Sequence, residues 1–196
     1  SCNSIDCACV PREDGDALSP DEAQSMLLQL FIAGNESTAS LIGSALRMLA
    51  EDPALAAELR ARPERIPIFV EEVLRLESPF QGHFRIATCD TRLGDVEIAR
   101  GTRLMLMWGA ATRDGRAFDD PDRVRLDRPS PRAHLGFGVG IHSCIGAPLA
   151  RLEARIAIER VLLRLPELAL AAPPPRHRPS LFVRRLAHLH LSFDPQ

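Results

Sequence analysis

Lysine and tyrosine are absent from this sequence, and all 24 of its basic residues are arginines. Against 26 acidic residues they leave a net charge of −2. That excludes both the strongly basic surface of a nucleic-acid binder and the acidic tail of a solvating segment. Long apolar runs are missing too, so no bilayer-spanning helix and no membrane partner are expected. Ser1 to Asp16 hold no apolar stretch of the kind a secretory signal needs. The resulting expectation is a soluble, cytoplasmic protein. The five cysteines are odd in number and unevenly placed: Cys2, Cys7 and Cys9 crowd the start, while Cys89 and Cys144 stand alone. This is no secreted disulfide framework. The N-terminal trio lacks a fourth ligand at finger-like spacing and reads as an ordinary chain end rather than a zinc site. No flavin- or nicotinamide-binding fingerprint occurs.

What is present begins at Ser19. Ser19-Pro20-Asp21-Glu22 has the form of a capping box with proline at the first helical position. Apolar residues then recur to about Ala50, where Asp52-Pro53 stops the pattern. About thirty residues make a helix of roughly 45 Å. Its apolar residues surround much of the axis, so it is expected to be buried. Shorter helices are predicted at about Pro53–Arg62 and Pro67–Leu76, and short strands between Phe84 and Met107. Thr112 to Ala133 is rich in Asp, Arg and Pro and reads as one irregular segment; ordered loops of that length are usually functional. A helix is predicted from Pro148 to about Arg164 on the spacing of Leu149, Leu152, Ile156 and Val161. The Pro-rich stretch Ala171 to Pro175 breaks the chain, and a strand pair near Leu181–Phe193 ends it.

The strongest motif is Phe137-Gly138-Val139-Gly140-Ile141-His142-Ser143-Cys144-Ile145-Gly146. A single cysteine just before a helix start suits a thiolate ligand, because the first-turn N–H groups and the helix dipole favour negative charge there. Glycine lets the backbone turn tightly and approach a flat cofactor. Phe137 is placed to shield the sulfur, and His142 offers a donor to a carboxylate. A buried cysteine in a glycine-rich turn is the plain structural alternative. Six fixed residues, however, arise by chance on the order of once in 10⁸ windows at typical usage.

This run closely resembles the heme-binding signature Phe-Gly-x-Gly-x-His-x-Cys-x-Gly of the cytochromes P450. The resemblance extends from about Asp16 to the C-terminus. It implies a mainly α fold with a small β portion, the C-terminal part only of the P450 fold. Residues 19–196 are then the heme-ligating part and residues 1–18 a loop or truncated start. It implies heme b, with Cys144 as axial ligand to the iron and Phe137, Gly138, His142 and Gly146 around it. Glu72-Val73-Leu74-Arg75 resembles the family's Glu-x-x-Arg motif, and Arg128 matches its third member; the implied role is a buried network that pins the heme loop. Ala33-Gly34-Asn35-Glu36-Ser37-Thr38 interrupts the long helix with poor helix formers. It resembles the oxygen-binding stretch, where Ala33 and Gly34 adjoin the heme and Glu36, Ser37 and Thr38 handle protons. Ser37 stands where the family usually has threonine. Arg85 matches a propionate partner, and His83 and His134 are further candidates. Substrate positions correspond to Ala33, Phe80, Gln81, Gly82, Phe182 and Val183, so an apolar or amphipathic small molecule is implied. Arg185 replaces a commonly found glycine and His190 a commonly found proline.

The reaction so implied is monooxygenation: one atom of O₂ is inserted into an unactivated bond. A separate ferredoxin or flavodoxin-type donor supplies the electrons, and Arg151 near the thiolate serves either its docking or the structure. Family members are roughly twice as long, which predicts that this chain is inactive alone. A heme-binding module without monooxygenase activity, or a non-catalytic remnant that binds a partner, remain the other classes.

Overall fold

The computed structural model describes residues 19–194. Cys2, Cys7, Cys9 and the expected loop at 1–18 lie outside the described residues. Helix α1 (Pro20–Glu51) starts on the predicted capping box: the Ser19 hydroxyl accepts from the Glu22 N–H at 3.3 Å, and the Glu22 carboxylate accepts from the Ser19 N–H at 2.9 Å. Asp52 ends α1 and caps α2 (Pro53–Ala61), its carboxylate accepting from the Leu55 N–H at 3.0 Å. Helix α3 (Ile66–Glu77) follows, then a four-residue helix α4 (Trp108–Ala111) and α5 (Ala147–Arg164).

The core lies where the second half of α1 meets α2, α3 and α5. Leu41, Leu49, Leu59, Phe69, Val70, Val73, Ala154, Ile158 and Leu162 are all buried there. Each large apolar side chain among them contributes about 1.5–3 kcal/mol by leaving water. The expected burial of α1 holds only for this second half. In the first half Met26, Leu27, Leu28, Leu30, Phe31 and Ile32 are 52–70% exposed. Helix α5 forms where predicted, but most of the residues whose spacing predicts it are not its buried ones. Leu149, Leu152 and Ile156 are exposed, and the buried stripe is Ala147, Ala154, Ile158 and Leu162, with Val161 partly buried beside it. Both stripes have three-and-four spacing, so periodicity alone does not choose between them. Small Ala154 faces the cluster shared with α1 and α3.

Among the described residues, four two-stranded antiparallel sheets flank the helices. β1 (His83–Ile86) pairs with β4 (Arg103–Leu106), and β2 (Thr91–Leu93) with β3 (Val96–Ile98) across a turn in which Gly94 has φ +58°. β5 (Ala169–Leu170) pairs with β8 (Leu191–Ser192), and β6 (Arg176–His177) with β7 (Leu186–His188). The two strands expected within Leu181–Phe193 therefore exist but do not pair with each other. Each takes a partner from the segment around the Pro-rich stretch. Those partners are only two residues long, too short to leave a periodic signal.

Candidate functional site

From Phe69 to Glu77, α3 has no exposed face. Its charged residues at 71, 72, 75 and 77 cannot reach bulk water, so each has to be met by protein groups. Glu72 and Arg75 are fully buried and joined by two bonds: Arg75 Nε donates to Glu72 Oε1 at 2.8 Å and Nη2 donates to Oε2 at 3.0 Å. Arg128 Nε donates to the same Oε1 at 2.8 Å, and the Arg125 N–H donates to Oε2 at 2.8 Å. The three residues predicted to form a network are thus brought together. Their remaining donors go to carbonyls of the irregular segment. Arg75 reaches those of Thr112, Pro121 and Arg123, and Arg128 those of Asp119 and Asp120. The Phe118 ring lies under both guanidiniums, 5.4 and 5.9 Å from their carbons. A segment with almost no regular structure is fixed in this way by two planar cations, whose donor forks suit several carbonyls at once.

The next loop carries Cys144. Gly138 and Gly140 have φ +69° and +77°, the left-handed conformation that side chains disfavour. The Cys144 N–H donates to the Phe137 carbonyl at 2.9 Å and closes the loop. Gly146 precedes α5, whose N-terminus has no side-chain cap; the Ala147 N–H donates to the Cys144 carbonyl at 3.3 Å and Pro148 has no N–H, so it is the positive dipole end of the helix that favours an anion there. Cys144 is an exposed free thiol. A side chain added at Gly146 would start 3.8 Å from its sulfur, so glycine leaves that side of the sulfur clear. Val139, Ile141, Ile145 and Leu149 are exposed around it in sequence. An uncapped helix start, an uncovered sulfur and an apolar collar fit a flat apolar group held through one thiolate. His142 is exposed, and Arg85 is partly buried with Nη1 donating to the Phe84 carbonyl at 2.8 Å.

Sequence reasoning missed Glu71. It is 4% exposed, and Arg151 holds it at both oxygens: Nε donates to Oε1 at 2.6 Å and Nη2 to Oε2 at 3.1 Å. His134, expected near a propionate, is buried on Glu71 instead. Its Nε2 lies 2.8 Å from Oε2, while its Nδ1 accepts from the Gly136 N–H at 3.1 Å. Those partners assign the proton to Nε2. Burial alone raises the Glu71 carboxyl, but the hydrogen bonds from His134 and Arg151 and the Arg151 charge overcome it and hold the group at about 2. Glu77 is the second omission. Buried at the end of α3, it meets Arg47 of α1 at 3.0 Å, Arg184 at 2.8 Å and His177 of β6 at 3.5 Å. The signal for both was available: the apolar residues of Ile66–Glu77 leave no polar face, so every charge there is a buried one.

On α1 the predicted proton-handling residues are separated by environment. Thr38 is buried, whereas Glu36 and Ser37 are only partly so. The Ser37 hydroxyl donates to the Ala33 carbonyl at 2.6 Å, back into its own helix. Glu36 Oε1 lies 2.7 Å from Arg185 Nη1, beside a cleft of about 660 Å³ lined by Phe31, Asn35, Ser40, Arg185 and His188 among others. Gly34 is exposed, and a methyl group in place of its hydrogen would meet nothing within 4 Å.

The predicted substrate positions after α3 and in the last segment do come together. Phe80 bridges Val183, the Gln81 N–H donates to the Phe182 carbonyl at 2.7 Å, and the Phe182 ring packs edge-on against Phe84 at 5.5 Å. The Gln81 side chain turns away to cap α3, donating to the Ser78 carbonyl at 2.7 Å. Gly82 has to be glycine, since a Cβ would lie 2.7 Å from the Leu106 carbonyl oxygen. His83 Nδ1 accepts from the Trp108 indole at 2.8 Å, and its imidazole is pushed below its ordinary value by burial and then by Arg85.

Comparison with known proteins places this geometry. The cytochrome P450 family model matches residues 66–185. Cytochrome P450 144 of Mycobacterium tuberculosis is 46% identical over 170 residues, covering 87% of this chain and 39% of that protein. Cytochrome P450 107B1 of Saccharopolyspora erythraea is 46% identical over 180 residues, covering 90% and 44%. A substrate-free cytochrome P450 structure from Mycobacterium marinum superposes with a TM-score of 0.90 at 38% identity, covering 96% of this chain and 48% of that one. The chain therefore spans less than half the length of these relatives, and among the described residues no helix is long and apolar enough to cross a membrane. With its thiol loop, its α3 network and these likenesses, the chain belongs to the cytochrome P450 family.

Proposed function

We propose that this chain is the heme-ligating, C-terminal part of a soluble, cytoplasmic P450 monooxygenase, with Cys144 as the residue that would hold heme b through its iron. The observation that carries the reading is the exposed Cys144 thiol at the uncapped start of α5, in a loop closed by its own N–H on Phe137. Heme held there supplies the oxygen chemistry, inserting one atom of O₂ into an unactivated bond of a small apolar or amphipathic substrate.

The protein's own residues do the rest. Phe137, Gly138 and Gly146 shape the thiolate side, with Ala33 and Gly34 on the facing side. Arg85 and His142 pair with the propionates, whose charge would otherwise be costly to bury. Glu72, Arg75 and Arg128 fix the segment that leads into the loop. Phe80, Gly82, Phe182 and Val183 form the substrate wall with Ala33, and Gln81 contributes its backbone. Glu36 passes protons inward from the cleft, and Ser37 or Thr38 holds them near the reacting oxygen as a positioned acid. The Ser37 hydroxyl must leave the Ala33 carbonyl to do so. Electrons come from a separate ferredoxin or flavodoxin-type protein.

The test is a dithionite-reduced, CO-treated spectrum of the heme-loaded chain and of Cys144→Ala. The parent is expected to give a red-shifted thiolate Soret band and the variant to lose it. An unchanged spectrum in the variant refutes the ligand assignment, and no heme uptake by the parent favours the remnant reading. The exposed apolar residues of α1 between Met26 and Ile32 leave its first half uncovered, so the chain alone is expected to show no coupled turnover.

A further inference from the structure

Glu71 has no part in the network of Glu72, although the two are neighbours on α3. Consecutive helical residues lie about 100° apart around the axis, and these two acids serve different segments. Glu72 holds the irregular segment through Arg75 and Arg128, whereas Glu71 faces the Cys144 loop and the first turns of α5. The contacts form a continuous path. Arg151 is held at both ends of the Glu71 carboxylate, 2.6 and 3.1 Å away. Its guanidinium carbon lies 4.6 Å from the centre of the Phe137 ring, a stacked cation that attracts the ring face. The Phe137 carbonyl takes the Cys144 N–H at 2.9 Å. A second branch runs from Glu71 through the buried His134 to the Gly136 N–H. Gly136 itself is wedged in, since a Cβ would lie 3.1 Å from both His134 Nδ1 and the Leu74 carbonyl of α3. Arg132 adds only a long, exposed contact at 3.5 Å.

We propose that Glu71 is a positioning residue for Cys144: through Arg151 it locks the Phe137 ring, and through His134 it locks the backbone leading to it, which fixes where the thiol stands. This rests on the heme-thiolate reading of Cys144. It assigns Arg151 to the loop rather than to a docking surface, because its fork is already committed. Glu71 touches neither the sulfur nor the space in front of it, so it acts only through these two partners. Its neutral replacement frees Arg151 to swing to water and releases Phe137.

A purely stabilising ion pair makes a different prediction from a positioning one, and two variants separate them. Glu71→Gln keeps an acceptor for His134 but loses the fork. Glu71→Gln with Arg151→Met removes both charges and restores an apolar contact, and such replacement of a buried pair often recovers stability. Hydrogen exchange of the Cys144 amide is followed in heme-free protein, with the Ile158 and Leu162 amides of α5 as internal reference. The fraction of thiolate-type reduced-CO spectrum is measured after hemin loading. Positioning predicts at least tenfold faster exchange at Cys144 in both variants, with the reference amides unchanged in the double variant and a reduced thiolate fraction in each. Unchanged Cys144 exchange overturns the proposal. So does exchange that accelerates equally at Cys144 and at the reference amides, or that returns to the parent rate when the double variant regains stability. If the parent takes up no hemin through Cys144, the heme-thiolate reading fails, while the exchange arm still decides whether Glu71 positions the loop.

Discussion

Helices α1 and α3 treat the same problem in opposite ways. On α3 four charged residues lie inside the protein, and all of them are paired: Glu71 with Arg151 and His134, Glu72 and Arg75 with each other and Arg128, Glu77 with Arg47 and Arg184. On the first half of α1, large apolar side chains lie outside, with Phe31 at 70% and Leu27 at 69% exposure. Charge is buried where a loop has to be held still, and apolar surface is open on the first half of α1, whose end borders the cleft. The segments leading to the thiol loop are thus tied to α3 by buried charges, while the first half of α1 leaves its apolar residues uncovered. The charges on the two sides differ in the same sense. Glu71 and Glu72 sit in enclosed hydrogen-bond sets, whereas Glu36 meets Arg185 with both side chains about two-fifths exposed, at 39% and 41%.

The contrast is tested hardest at its centre. Glu72→Ala or Arg75→Ala leaves a buried charge without its partner, a change that typically costs about 3–5 kcal/mol. Such variants are expected to lose stable heme incorporation, read as heme content and denaturant midpoint. A defect confined to turnover, with normal folding and heme content, would show that the network acts in chemistry instead. A pair of phenylalanines sharpens the comparison. Phe69, fully buried on α3, should cost about 3–5 kcal/mol when cut to alanine. Phe31→Ala should fall within about 0.5 kcal/mol, as exposed positions do. Equal losses would mean that the first half of α1 is covered in solution.

Acid separates the two sides as well. The Glu71 carboxyl is depressed from 4.5 to about 2. A depressed acid contributes stability above its unfolded value and loses it as pH falls through the folded one. The contribution is on the order of 3 kcal/mol at neutral pH, and it drains away between about pH 5 and 2. Denaturant midpoints measured down this range are expected to fall more steeply in the parent than in Glu71→Gln. Parallel curves would place the acid sensitivity elsewhere.

Much of this is legible in the sequence, and the failures share a cause. The capping box at Ser19 and Glu22 and the glycines before Cys144 are local patterns with one physical solution each; the trio Glu72, Arg75 and Arg128 is legible only through the family resemblance, since Arg128 lies 56 residues from Glu72. What escapes depends on distant partners. Glu71 looks like a duplicate of Glu72, because only Arg151, eighty residues on, gives it a separate task. Spacing predicts helix α5 but does not choose its buried stripe, because Leu149, Leu152 and Ile156 fit as well as Ala154, Ile158 and Leu162. Sequence alone pairs β7 with β8 because their real partners are too short to register. His134 stands close in sequence to the loop, yet its two ring nitrogens are taken up by Glu71 of α3 and by the Gly136 N–H.

The smallest effect is expected at Arg185. Its ion pair with Glu36 is short, at 2.7 Å, but each side chain keeps about two-fifths of its surface in solvent. Pairs of that kind contribute about 0–1 kcal/mol, because water screens them and two long side chains must be ordered. Arg185→Gly should therefore move the denaturant midpoint very little. Glu36→Gln should do the same, and a double-mutant cycle between the two should give a coupling below about 1 kcal/mol. The pair differs from the α3 networks in a second respect. Glu36 also lines the cleft, so under the proposed proton-handling role its release frees an acid rather than unfastening a loop. In the complete enzyme, Arg185→Gly is expected to change the product formed per electron consumed while heme content stays constant. A large stability loss with unchanged coupling would reverse the assignment: Arg185 would then belong to the framework, and the contrast between the two sides of the molecule would fail at that point.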